Sequence, residues 1–142
     1  MTEPHQFTLR IFWEDTDAGG IVYYANYLRF LERGRSEMVR GAGIDQAAMY
    51  NLEGVMLPVR RCEIDYLKPA QLDDEVEVHT RLRKIGGASM DLDQDIYRGA
   101  DILVRAKVRL ACVGWNGKPE RVPETVRDAL TGLIEPMEEL VN

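Results

Sequence analysis

The chain has 142 residues, 45% of them hydrophobic and 30% charged, with a formal net charge of −6. That is enough length for one domain with its own core, read here as residues 1–142, and the composition is that of a globular protein. The acidic balance, without a basic tail or stripe, argues against nucleic-acid binding, and no apolar run approaches the ~20 residues needed to span a bilayer. The short polar start, Met1 to Gln6, does not read as a signal peptide, so the expected location is the cytoplasm.

The first element is a strand, in which Phe7, Leu9, Ile11 and Trp13 alternate with Thr8, Arg10 and Phe12. The loop "EDTDAGGIVYYANY" follows. From Asn26 to Arg40 the period changes, and Tyr27, Leu31, Gly34 and Met38, with Leu28 and Phe30 beside them, form one helical stripe. Gly34 inside it costs about 1 kcal/mol relative to alanine, which makes sense if the helix presses closely on another element. Gly41 and Gly43 end that helix, and a short second one is predicted from Asp45 to Asn51. Four strands come next, Val59–Leu67, Glu75–Ile85, Ala88–Arg98 and Asp101–Val113, punctuated by Gly86-Gly87, Gly99-Ala100 and Asn116-Gly117. A last helix is predicted from Pro123 to Ile134. The order strand, long helix, four strands predicts an α+β fold with an antiparallel sheet and a helix across one face; a hotdog arrangement is one option among several.

The chemistry-bearing residues are few. Cys62 and Cys112 lie far apart in apolar stretches and read as buried free thiols. His5 and His79 read as surface residues, and Ser36 and Ser89 lack a local histidine. Glu14, Asp15 and Asp17 lack the spacing of a calcium loop, so no metal is expected, and Gly19-Gly20 is not a phosphate-binding motif. Any chemistry therefore falls to a carboxylate. For Asp17 two readings stand side by side. It is a loop acid that caps the helix or benefits from its dipole, or it is a catalytic acid folded back by Gly19-Gly20 towards unpaired N–H groups near Tyr23 to Asn26, which can hold a polarised carbonyl oxygen.

The stretch "EDTDAGGIVYYANYLRFLERGRSEMVR" resembles the first motif of the hotdog acyl-CoA thioesterases, the 4-hydroxybenzoyl-CoA thioesterase family and the YbgC-type thioesterases associated with the Tol–Pal system. The likeness continues through "VRRCEIDYLKPAQLDDEVEV" and "GGASMDLDQDIYR", covering roughly residues 7 to 115. It implies a hotdog fold, hydrolysis of an acyl-CoA to a carboxylic acid and free CoA, no cofactor beyond the coenzyme A of the substrate, and a homodimer or homotetramer with the acyl pocket at a subunit interface. Asp17 matches the family's catalytic carboxylate, and the Tyr24 backbone N–H matches the group that polarises the thioester carbonyl. Gly20, Tyr23 and Asn26, in the same motif, are candidate substrate-binding residues, and so are Pro58 and Val59, as the pocket wall contributed by a second subunit. Arg60, Lys68, Arg83, Lys84 and Ser89 are candidate coenzyme A contacts, with solvated strand-end charges as the plain alternative. Many YbgC-type proteins carry Tyr-His where this chain has Tyr23-Tyr24, so a side-chain proton relay of that kind is absent here. The same resemblance leaves an acyl carrier protein or a Tol–Pal link open as a partner. Two other functions stay open: a non-catalytic acyl-CoA or acyl-carrier binding protein, and a hotdog dehydratase, which calls for a well-placed histidine that this chain lacks.

Overall fold

In the computed structural model, which describes residues 3–137, the chain enters as strand β1 (His5–Arg10), with Gln6, Thr8 and Arg10 exposed and the alternate residues turned inward. The alternation expected to run to Trp13 stops short. Ile11 is tied to the sheet by its N–H to the Asp74 carbonyl. The Asp15 carboxylate then accepts the Phe12 N–H at 2.9 Å, and the Thr16 hydroxyl donates to the Trp13 carbonyl. These local acceptors outcompete the ladder. Trp13–Asp15 winds into a single 3₁₀ turn, and Phe12 and Trp13 are left exposed.

Helix α1 (Asn26–Gly41) buries Tyr27, Phe30, Leu31, Gly34 and Met38 of the predicted stripe, together with Val39, but leaves Leu28, which is expected in it, exposed, because it falls one residue past Tyr27 and turns off the buried face. Helix α2 (Gln46–Ala48) starts where expected, with the Asp45 carboxylate accepting the Ala48 N–H, and widens into a five-residue π-type turn, Met49–Glu53. Then follow β2 (Val55–Met56), β3 (Val59–Tyr66), β4 (Glu75–Ile85), β5 (Ser89–Arg98), β6 (Asp101–Ala111), β7 (Val113–Gly114) and α3 (Glu124–Thr131). The last long strand ends at Ala111 rather than Val113 because the Cys112 N–H turns to the Ala88 carbonyl, after which β7 pairs with β2. Helix α3 ends before Ile134, which instead bridges Leu82 in parallel.

The sheet order is β1-β4-β5-β6-β3, antiparallel throughout, with α1 packed on one face. This is the α+β arrangement expected, and β1 and β3 are its edges. The core lies between α1 and the inward residues of β4, β5 and β6. Among the described residues two polar side chains sit inside it, Thr80 and Gln94. The Gln94 amide donates to the Leu31 carbonyl and the Thr80 hydroxyl and accepts from Arg35, so its hydrogen-bonding capacity is used in pinning helix to sheet. Cys112 is buried as expected. Cys62, on the edge strand, is only half-buried; both thiols are free, and burial pushes both up. His79 is less of a surface residue than expected, lying against Tyr97 with Nε2 3.0 Å from Glu77.

Candidate active site

The loop between β1 and α1 closes as a small hairpin. Thr16 bridges Val22, the Asp17 N–H donates to the Ile21 carbonyl, and the Tyr23 N–H donates to the Asp15 carbonyl. Gly20 makes the reversal possible. Its φ is +79°, its N–H donates to the Asp17 carbonyl, and its own carbonyl accepts from Leu72. Ile21 bridges Gln71, and the Val22 N–H donates to the Ala70 carbonyl, so the loop is anchored to the segment between β3 and β4. Tyr27 fixes the same segment from the helix, its hydroxyl accepting the Ala70 N–H at 2.9 Å. That bond uses the phenol, and burial raises the phenol's pKa.

The Asp17 side chain is exposed, and its Oδ1 accepts the Gly19 N–H at 2.8 Å. The carboxylate thus closes its own turn and does not cap α1, which corrects the capping alternative. Helix α1 has no side-chain cap at all: Ala25 stands at the N-cap position. The chain winds in through a turn in which Asn26 N–H donates to Tyr23 C=O at 2.8 Å, while the Asn26 side chain donates to the Asp15 carbonyl. Among the described residues, the backbone N–H groups of Tyr24 and Ala25 make no hydrogen bond. They are the free donors at the positive end of a 16-residue helix.

Around these donors lies an aromatic cluster. The Tyr24 ring is 5.1 Å from Tyr23 and 6.0 Å from Tyr66, and the Tyr66 ring is 5.6 Å from Tyr27. Sequence reasoning did not single out Tyr66, whose place beside Tyr24 follows from the edge position of β3. Burial raises its phenol, and the sulfur of Cys62 adds to this.

The other candidates divide by position. Lys68 lies at the Asp17 end, following β3 and paired with Asp101 at 3.3 Å. Pro58, Val59 and Arg60, with Arg60 in a bulge, lie at the opposite end of β3. Arg83, Lys84 and Ser89 lie at the far end of the β4–β5 hairpin. Eleven-residue β4 spans about 33 Å from the Asp17 end to the Arg83 end. One copy of the chain therefore does not bring these residues to Asp17. Arg83 is also committed, to Asp93 at 2.8 Å and to the Glu135 carbonyl. Among the described residues no cluster of three or more His, Cys, Asp and Glu side chains is arranged to hold a metal ion, and no helix is long and apolar enough to cross a membrane.

A family model described as the thioesterase-like superfamily matches residues 11–130. The chain belongs to that superfamily. The thioesterase fold seen here recurs in the crystal structure of a probable thioesterase from Bartonella henselae, with a TM-score of 0.81 and 40% identity over 84% of this chain and 99% of that one. The chain is 37% identical to the acyl-CoA thioesterase YbgC of Haemophilus influenzae over 124 residues, 87% of this chain and 91% of that protein. It is likewise 37% identical to the acyl-CoA thioester hydrolase YbgC of Escherichia coli, over 85% of this chain and 91% of that one. This thioesterase-family chain is thus a hotdog protein of YbgC type, as the resemblance implies.

Proposed function

We infer that the chain hydrolyses an acyl-CoA thioester to a carboxylic acid and free coenzyme A. The observation that carries this reading is the pair of unbonded N–H groups at Tyr24 and Ala25, set at a helix start beside the Asp17 loop. The names of the YbgC relatives support the substrate class.

In this reading the Tyr24 N–H binds the thioester carbonyl oxygen and strengthens its hold as negative charge develops there. The Gly19 N–H fixes one oxygen of Asp17 and leaves the other to act. That oxygen removes a proton from water, whose oxygen bonds to the carbonyl carbon, or it attacks that carbon itself to give an anhydride that water then opens. Either way the C–S bond breaks and the thiolate leaves with its electron pair; it is a good enough leaving group to need no strong general acid. The active form is a homodimer, or a homotetramer built from such dimers, with β3 paired edge to edge. An unpaired edge strand is a liability that a two-fold contact removes, and such a contact brings the Pro58–Val59 end of one copy to the Asp17 end of the other.

The test is a thiol-release assay over short-chain, long-chain and aromatic acyl-CoAs with the wild type and Asp17→Asn. Hydrolysis that depends on Asp17 is the expected result. Binding without turnover by the wild type would favour a non-catalytic acyl-CoA binder instead.

A further inference from the structure

Two exposed aromatic surfaces lie at opposite ends of β3. Tyr23, Tyr24, Tyr66 and Leu67 stand at one end, beside the Asp17 loop. At the other end the ladder runs on past Pro58: the Ala111 N–H donates to the Pro58 carbonyl, and β2 then pairs with β7, Met56 opposite Val113 and Val55 opposite Gly114. Trp115 closes that end. It is 67% exposed, yet it is held in place. Its Nε1 donates to the Tyr50 carbonyl at 3.0 Å, its ring lies 6.1 Å from that of Tyr50, and a Cβ built on Gly54 would sit 3.6 Å from the indole. A large aromatic side chain fixed in water is the usual form of an interface anchor.

The edge of β3 points to the occupant. Among the described residues its eight positions pair on one side only, with β6. Along it Arg61, ion-paired with Glu63 of its own chain at 2.6 Å, alternates with Glu63 and Asp65 on the outer face, so an antiparallel copy brings the two Arg61–Glu63 pairs side by side with opposite charges facing. Antiparallel pairing reverses direction. In a register centred on the middle of β3, Pro58 of a second copy lies near Tyr66, and the Gly54–Trp115 end, four residues further on, comes to the level of Ala70. Ala70 holds Val22, two residues before Tyr24.

We propose that Trp115 and Tyr50 of a second copy form the end wall of the acyl pocket opened by Asp17 and the Tyr24 N–H. This rigid indole sets the acyl length, admitting short or flat aromatic acyl groups and shutting out long alkyl chains. The inference deepens the thioesterase reading and rests on it and on the two-fold pairing.

The test uses S-ethyl-, S-hexyl- and S-decyl-coenzyme A, thioethers that bind without turnover. Their affinities are measured by calorimetry for the wild type, Trp115→Ala and Leu52→Ala; Leu52 is another exposed apolar residue, but one that lines the groove against α3. Trp115→Ala should remain a dimer by sedimentation and gain at least about 10-fold for the decyl thioether relative to the ethyl one, while Leu52→Ala changes nothing. An unchanged decyl-to-ethyl ratio in Trp115→Ala overturns the wall. If that variant does not fold, Trp13→Phe supplies the measurement. The chain has two tryptophans, so Trp115 then emits alone. Its emission should shift to the blue on dimerisation and respond to the hexyl thioether; an emission insensitive to both overturns the proposal. Thioether binding with this length dependence but no hydrolysis of the matching thioesters would sink the hydrolase reading and leave the wall standing.

Discussion

A Cβ built on Gly34 would lie 2.6 Å from Cγ1 of Val78 and 3.2 Å from its Cβ, so α1 rests directly on β4 at that point. Valine is stiff about χ1 and cannot swing aside cheaply. Gly34→Ala should therefore destabilise the fold by about 1–3 kcal/mol through overpacking, although alanine is the better helix former by about 1 kcal/mol. Thermal melts decide between the two effects: a raised Tm would mean that the helix can lift off the sheet without cost.

Asp17→Asn should keep the fold and lower kcat by at least about 10²-fold, since in the proposed mechanism it removes the base or nucleophile. The amide can still accept from the Gly19 N–H, so the turn survives. A variant that retains most of its turnover would move the chemistry to another acid, with Glu32, Glu63 and Asp65 the next to replace.

Tyr24→Phe and Tyr24→Pro separate the side chain from the backbone. Tyr24 is the second residue of a turn closed by Asn26 N–H to Tyr23 C=O, a position that suits proline. Among the described residues its N–H makes no hydrogen bond, so proline deletes the donor with little structural damage. Proline should cost about 10²–10³ in kcat with a near-normal Tm, and phenylalanine should be mild. Equal losses in the two variants would make the phenol a proton donor in place of the histidine of many YbgC-type proteins.

Activity should follow the dimer. Dilution monitored by sedimentation and by turnover should show kcat/KM falling as the β3 contact dissociates. A monomer at full activity in light scattering would refute the shared site.

Asp95, on β5 with its side chain on the face of the sheet away from α1, gives a prediction in pH. Burial raises its carboxyl pKa; Asp93 adds to this, while Arg105, His79 and Arg81 act against it. An acid whose native pKa is raised binds more protons folded than unfolded, so its cost is absent at low pH, grows through the interval between the ordinary and the raised pKa, and is full above it. Asp95→Asn should raise Tm at neutral pH and lose that advantage below the ordinary aspartate range. An advantage that persists at low pH would assign the effect to packing.

The apolar stripe of α1, the four long strands, the tight approach at Gly34 and the acid loop were legible in the sequence because each rests on local periodicity or on neighbours a few residues apart. The motif "EDTDAGGIVYYANY" carried the family for the same reason: its turn, its acid and its helix start are contiguous. The end of β1 was not legible. Alternation predicted a strand through Trp13, and only the competition between the Asp15 carboxylate and the sheet edge for the Phe12 N–H decided otherwise. The roles of the acids were equally hidden. Asp15 serves its own 3₁₀ turn, Asp17 serves the Gly19 turn, and neither caps α1, which leaves Tyr24 and Ala25 unbonded. Tertiary structure alone placed Tyr66 beside Tyr24, set Pro58, Val59, Arg83 and Lys84 far from Asp17 along the strands, and left β3 as an open edge. Those relations depend on strand order and register, which join residues distant in the chain, and periodicity within one strand carries no information about which strand will lie beside it.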